Sequence, residues 1–243
     1  MDYIDIKIEI IEGKIGIITL NRPEKRNAIS IQMRHEISAC LREWEKSSNI
    51  RLVIFTGAGS AFSSGFDLNE FRNNDLFDEL LNSSSQYHRD VWYYPKPTIA
   101  VINGPAIGGG FDLTTLCDIR ICSQSACFGH PEVKFGAPPI FTPLKWIIGE
   151  GVARDLCMTG RKIDSQTALR IGLVSEIVEN DELLKRAIQV GKEIIEMPID
   201  TLKFIKHYFI ENAGKGFEES FQIEHDKAFH DIILPKAKNG FER

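Results

Sequence analysis

The stretch Ile99-Ala-Val-Ile-Asn-Gly104-Pro-Ala-Ile-Gly108-Gly109-Gly110-Phe-Asp112-Leu-Thr-Thr-Leu-Cys117-Asp118 decides how the rest of this chain is read. It begins as a short apolar run that ends at Asn103-Gly104, as a buried strand should. It then passes through three consecutive glycines into an apolar stretch of helical length. Glycines between a strand and a helix leave backbone N–H groups unscreened, at the positive end of a helix dipole. Such donors hold developing negative charge on an oxygen, and one of them contributes ~3–4 kcal/mol to a transition state. The same glycines equally let helix and strand approach closely, and the residues alone leave both readings open. The spacing is neither the GxGxxG of a dinucleotide site nor a GxxxxGK[ST] phosphate loop.

Working outward, residues 52–55 form another short apolar run, which ends at Gly57-Ala58-Gly59 and leads to the turn Ala61-Phe-Ser-Ser64-Gly65-Phe66-Asp67-Leu68. A third run covers residues 118–122. Strand, glycine turn and helix thus repeat, which indicates α/β organisation. Towards the start, Ile-rich runs at 4–11 and 15–20 flank Glu12-Gly13-Lys14 and read as a hairpin. Ser30 can cap a helix carrying Met33, Ile37, Leu41 and Trp44 at spacings of four and three. From about residue 180 the pattern becomes helical: residues 182–197, a break at Pro198, then 199–212 and 217–233. The last of these places Phe217, Phe221, Ala228, Phe229 and Ile232 on one face. Such a tail is a lid, a second core or an assembly surface.

The 243 residues are 43% hydrophobic and 26% charged, as in a soluble globular chain of one large domain with or without an appendage. The net charge, 29 − 34 = −5, argues against nucleic acid as a partner, because phosphate-backbone binding needs clustered bases. A small phosphorylated ligand gripped by two or three local bases stays possible. No apolar run approaches the length of a membrane span, and the first residues lack a basic, then apolar leader, so a cytoplasmic protein is expected. Five cysteines without a CxxC pair read as buried thiols. The six histidines show no metal-ligand spacing with carboxylates, so neither a metal nor a separate cofactor is expected.

The Gly104-xxx-Gly-Gly-Gly pattern with Cys117-Asp118 downstream, and the Gly65-Phe-Asp-Leu turn upstream, resemble the crotonase (enoyl-CoA hydratase/isomerase) superfamily. Further segments resemble it in order and spacing: Asn21-Arg-Pro-Glu-Lys-Arg-Asn-Ala28, Phe128-Gly-His-Pro-Glu132, Leu156-Cys-Met-Thr-Gly160 and Ala168-Leu-Arg-Ile-Gly172-Leu-Val174. The resemblance implies an α/β fold with a ββα spiral core over residues 1–180. It also implies a helical C-terminal region, 181–243, packing on neighbouring subunits in a homotrimer or a dimer of trimers. The implied substrate is an acyl-CoA thioester, coenzyme A being part of the substrate. By position, the amides of Phe66 and Gly109 would polarise the thioester carbonyl. The other binding positions implied are Arg26 near the CoA phosphates, Ser64, Gly65, Phe66, Asp67 and Leu68 around the adenine, Gly108 and Gly109, and Ile140, whose amide stands where the family holds a water. Glu132 would be the acid/base at the α-carbon, and Asp112 would orient or deprotonate the water that adds at the β-carbon.

The chain departs from the family pattern in three places. Asp112 is one methylene shorter than the Glu usual there. Pro139 is followed by Ile-Phe-Thr-Pro-Leu-Lys-Trp-Ile, where common members read x-x-Gly-Gly-Thr-Gln-Arg-Leu. With Trp92, Tyr93 and Tyr94, Phe141 and Trp146 would give an aromatic acyl site if they are not core. The basic C-terminal tail is replaced by Asn239-Gly-Phe-Glu-Arg243, leaving Lys236 or Lys238 to reach CoA. Hydration of a 2-enoyl-CoA is the activity expected. Double-bond isomerisation by Glu132 alone is the alternative, and a non-catalytic acyl-CoA-binding subunit is the alternative of another class.

Overall fold

Runs of isoleucine and valine favour extended backbone because their branched β-carbons restrict χ1 and pack well on a pleated surface. In the computed structural model, which describes residues 3–238, they pair accordingly. Strands β1 (Ile6–Ile11) and β2 (Ile15–Leu20) form the expected antiparallel hairpin, Ile6 opposite Leu20 and Ile11 opposite Ile15. Helix α1 (Ile31–Lys46) comes next, capped as expected by the Ser30 hydroxyl, which accepts from the Met33 amide at 3.0 Å. Then come β3 (Leu52–Gly57), α2 (Phe77–Trp92), β4 (Thr98–Ile102), the two-residue β5 (Ala106–Ile107), α3 (Gly109–Leu116) and β6 (Ile119–Ser123). The chain continues through β7 (Cys127–Gly129), α4 (Thr142–Ile148), α5 (Glu150–Thr159), β8 (Ile163–Asp164), α6 (Ser165–Arg170), β9 (Glu176–Val178), α7 (Leu183–Ile195) and α8 (Ile199–Glu211).

The main sheet has the order β1-β2-β3-β4-β6-β9, parallel throughout except for the opening hairpin, and a smaller sheet has the order β5-β7-β8. The strand expected at 118–122 begins one residue later. Asp118 is occupied by its side chain, which accepts from the Thr98 amide at 2.7 Å and from Lys206 at 2.8 Å.

Both faces of the main sheet are covered, as the apolar strands require. One face sends Ile18, Leu20, Val53, Phe55, Ala100 and Ile102 against Met33, Ile37 and Leu41 of α1 and against Phe111 and Leu113 of α3. The alternate residues Ile15, Ile17, Leu52, Ile54, Ile99, Val101 and Ile121 meet Leu183, Ala187 and Ile195 of α7. Each buried Val, Leu, Ile, Phe or Met side chain among these contributes ~1.5–3 kcal/mol by leaving water. Helix α7 therefore closes the sheet, although by sequence pattern it belongs with the helical tail. Only α8 and the segments after it stand off the core.

Beyond α8 the chain is helical again over Phe217–Phe221, Gln222–Lys227, Phe229–Ile233 and Leu234–Lys238, the middle two being π-helical turns. Residues 239–243, the C-terminal tail expected near CoA, and the side chains of Phe217, Lys236 and Lys238 lie outside the described residues. Among the described residues no helix is long and apolar enough to cross a membrane. The five thiols are all free; Cys40, Cys117 and Cys122 are buried, and Cys127 and Cys157 are half-buried.

Candidate active site

Three loops meet at the point where the glycines lead into α3. Asn27 ties the first to the second: it is fully buried, its amide group donates to the carbonyls of Ala58 and Ala61 at 2.9 and 2.8 Å, and its side-chain oxygen accepts from the Arg22 amide. Isolated bridges then join Ile29 to Phe66 and Ser63 to Ala106. Gly65 has φ +95°, and a Cβ there would lie 2.9 Å from the Ile107 carbonyl oxygen and 3.3 Å from the Gly109 nitrogen. The turn thus brings Phe66 beside the start of α3 only because residue 65 has no side chain. The third loop is equally close: a Cβ on Gly110 would collide with Ser63. Close approach and exposed amides, the two readings the glycines left open, are both realised. Among the described residues neither the Phe66 amide nor the Gly109 amide has an acceptor. Two free N–H donors on adjoining turns are suited to a single oxygen atom.

The carboxylates lie beside them. Asp112 sits in the first turn of α3, its amide donating to the Gly108 carbonyl at 2.9 Å, and it is 6% exposed. Glu132 sits in a 3-10 turn, Pro131–Phe135, with its Oε2 3.3 Å from where a Cβ on Gly108 would be. Between them stands His130, a residue to which the sequence motifs assign no role. It is fully buried; its Nδ1 lies 2.9 Å from Glu132 Oε1 and its Nε2 lies 3.7 Å from Asp112 Oδ1. Phe111 stacks on its ring, with centroids 4.6 Å apart. Asp112 Oδ1, His130 Nε2 and Glu132 Oε2 are buried without hydrogen-bond partners among the described residues. Burial pushes the Asp112 carboxyl up to about 7, the nearby His130 acts to lower it, and Glu132 raises it further. The three residues offer one ligand atom each within 4.8 Å of one another and are the set in this site that could hold a cation.

The other expected positions spread along the rim of these loops. Ser64 is exposed, its amide donating to the Arg26 carbonyl at 2.9 Å, and Leu68 is 71% exposed. Asp67 turns inward: Arg22 pairs with it at 2.9 Å and Lys25 at 3.7 Å, and these contacts hold its carboxyl below the usual range against the opposing effect of burial. With Lys25 so engaged, Arg26 is the exposed base of this loop that has no ion pair among the described residues. Ile140 is exposed in the segment before α4, its amide without an acceptor among the described residues.

The aromatic acyl site expected from Trp92, Tyr93, Tyr94, Phe141 and Trp146 does not form as one cluster, and Phe141 stands exposed just before α4. Tyr94 is core at 2% exposure and Tyr93 points outward. Trp92 and Trp146 pack on each other at 5.7 Å and line a separate cavity of about 890 Å³ between the far end of α3, α4 and α8. The rings at the site are Phe66 and Phe111; Phe66 packs against Phe71 and His88 and lies under the Arg34 guanidinium at 4.8 Å.

Residues 10–242 match the family model described as enoyl-CoA hydratase/isomerase. The short-chain-enoyl-CoA hydratase of Clostridium acetobutylicum is 33% identical over 249 residues, covering 95% of this chain and 95% of that protein. An enoyl-CoA hydratase subunit I of Geobacillus kaustophilus superposes with a TM-score of 0.90 at 28% identity, over 99% of this chain and 95% of that one. A Thermobifida fusca protein described as an enoyl-CoA hydratase, solved in complex with CoA, superposes at 0.86 with 27% identity, over 96% and 95%.

Proposed function

The chain belongs to the enoyl-CoA hydratase/isomerase family, and we propose that this member adds water reversibly to a 2-enoyl-CoA thioester. The observation that carries the reading is the convergence of Asp112 and Glu132 on the two sides of one histidine, beside the free amides of Phe66 and Gly109. The thioester oxygen accepts from both amides, so charge passing onto it in the enolate is met by donors already in place. A water held at the carboxylates adds to the β-carbon as Asp112 takes one of its protons. The electron pair of the double bond shifts through the α-carbon to the thioester oxygen; Glu132, entering the step as the acid, delivers its proton to the α-carbon, and return of the proton taken by Asp112 restores Glu132 for the next turnover. Arg26, exposed and without an ion pair among the described residues, would meet the phosphates of CoA, and the CoA-bound Thermobifida protein supports a CoA thioester as the ligand.

One observation favours a second reading. With its carboxyl buried and pushed up to about 7, Asp112 holds a proton in part of the molecules near neutrality, and a double-bond isomerase acting through Glu132 alone needs no second base. Incubation with crotonyl-CoA and with a 3-enoyl-CoA in H₂¹⁸O, with products read by mass spectrometry, separates the two. Gain of one labelled water establishes hydration; an unchanged mass with a shifted double bond establishes isomerisation. CoA-thioester binding with neither product would make the protein a binding subunit.

The proposed assembly is a trimer or a dimer of trimers built through α8 and the segments after it. It is supported by the apolar side chains these leave outward, Phe209 at 80% exposure and Ile205, Phe221, Phe229 and Leu234 at 40% or more.

A further inference from the structure

We propose that Arg34 is a positioning residue of the oxyanion site: its guanidinium holds the Phe66 ring, and through that ring it aims the Phe66 and Gly109 amides. The inference rests on the hydratase reading for its kinetic part and on geometry alone for the rest. Arg34 lies on α1, one turn in from the Ser30 cap, and its side chain is wholly buried. A charge so placed is costly unless it is paired and hydrogen-bonded. The fork of the guanidinium meets both conditions. Nη2 pairs with Glu70 Oε2 at 3.2 Å, while Nη1 donates to the Leu80 carbonyl and Nε to the Ser30 carbonyl, each at 3.3 Å. Glu70 is fixed in turn, since both of its oxygens accept from the Ile31 amide, at 2.9 and 3.1 Å. These contacts tie α1, α2 and the 3-10 turn Glu70–Arg72 to one point.

That point lies over Phe66. The guanidinium carbon stands 4.8 Å from the ring centroid, and a desolvated cation attracts an aromatic face at that range. Phe71 stacks on the ring at 6.4 Å and His88 packs edge-on at 5.9 Å. Cδ1 and Cε1 of the same ring lie 3.0 Å from where a Cβ on Gly109 would be. The Phe66 ring therefore rests against the residue that supplies the second amide, and a shift of the ring disturbs both donors together. A Met of similar reach would fill the space beside the ring but would lack the fork that joins three elements there. An oxyanion donor is effective only when aimed at the place where charge develops, and misplacement near 1 Å costs ~100-fold in rate.

The first measurement needs no substrate. In protein labelled with ¹⁵N-phenylalanine and ¹⁵N-glycine, the Phe66 and Gly109 amide resonances are expected to move in Arg34→Met. They should return towards their wild-type positions in Arg34→Lys, which keeps a cation over the ring. Where Arg34→Met folds poorly, Arg34→Gln keeps donors for Glu70 and Leu80, removes the charge and is expected to move the same resonances. Resonances that stay in place overturn the proposal, whether or not the protein hydrates an enoyl-CoA.

In the second measurement, kcat and KM are followed for Arg34→Met, Phe66→Leu and the double variant. Arg34→Met is expected to lower kcat by about tenfold to a hundredfold and to leave KM within about twofold, because the amides act chiefly on the transition state. In the Phe66→Leu background the same substitution should cost about threefold or less in kcat, since the ring through which Arg34 acts is gone. Equal losses in the two backgrounds would make Arg34 a packing residue and overturn the proposal. A wild type that turns over no enoyl-CoA defeats the hydratase reading instead, and the amide resonances then decide the role of Arg34.

Discussion

Around Phe66 and Gly109, backbone and side chains are locked together. Asn27 uses its whole amide, Asp67 holds two bases, and the bridges Ile29–Phe66 and Ser63–Ala106 clamp the turns. From α8 onward the chain presents the reverse: few ties to the sheet and large apolar side chains turned outward, Phe209 foremost. The first region achieves order within the chain and leaves few polar groups unpaired among the described residues. The second turns large apolar side chains outward, the surface on which the proposed assembly rests.

The largest effect that would break the first half of this contrast is expected from Glu132→Gln. Turnover should fall by about 10²–10⁴-fold with the melting temperature nearly unchanged, measured by steady-state kinetics and calorimetry. Equal loss in both would mean that Glu132 is part of the packing. Next comes Gly65→Ala, in which the new Cβ meets the Ile107 carbonyl at 2.9 Å on a backbone with φ +95°. Displacing the Phe66 amide should cost about 10²-fold or more in kcat, and the strain about 1–3 kcal/mol in stability by urea unfolding.

Protonation sharpens the comparison. The Asp112 carboxyl sits at about 7 when folded against 3.8 ordinarily. Between those values the folded state keeps a proton that the unfolded chain has lost, so this residue's contribution to stability declines as pH rises through 3.8 to 7 and stays low above. Asp112→Asn should therefore raise the melting temperature relative to wild type at pH 8 and do so little at pH 4. Hydration in the wild type should rise with pH through about 7 as Asp112 ionises, and the variant should lose that limb. The smallest effect is expected at the far end: Phe209→Ser should shift the oligomer towards monomer in sedimentation while changing kcat per subunit by about twofold or less. An unchanged sedimentation profile would leave that face without a partner of its own kind.

Much of this was legible in the residues. The hairpin, the Ser30 cap, the β4 strand and the glycine entry into α3 each depend on local chemistry that a window of a dozen residues contains. The two carboxylates and the amides of Phe66 and Gly109 came by resemblance, and the structure brings them together. His130 did not emerge because its place between Asp112 and Glu132 depends on the pairing of β5 with β7; no spacing along the chain encodes that. The aromatic residues misled for a related reason. Trp92 and Trp146 lie on elements that flank the site, but they pack on each other and line the cavity at the far end of α3, a placement composition does not reveal. Helix α7 reads as part of the tail by pattern and serves the core by position, since its apolar stripe fits the alternate residues of the sheet.

The bridges that clamp the turns have a consequence for how the molecule comes into being. Phe66, Gly109 and Glu132 belong to separate crossings of the chain, joined by pairings between segments remote in sequence. Each such pairing closes a long loop before any contact rewards it. A refolding intermediate with its helices and hairpin already formed therefore lacks the meeting of the Phe66 and Gly109 amides. On dilution from denaturant, turnover should lag the return of helical signal and report the last long-range closure, so that activity is a clock for the end of folding.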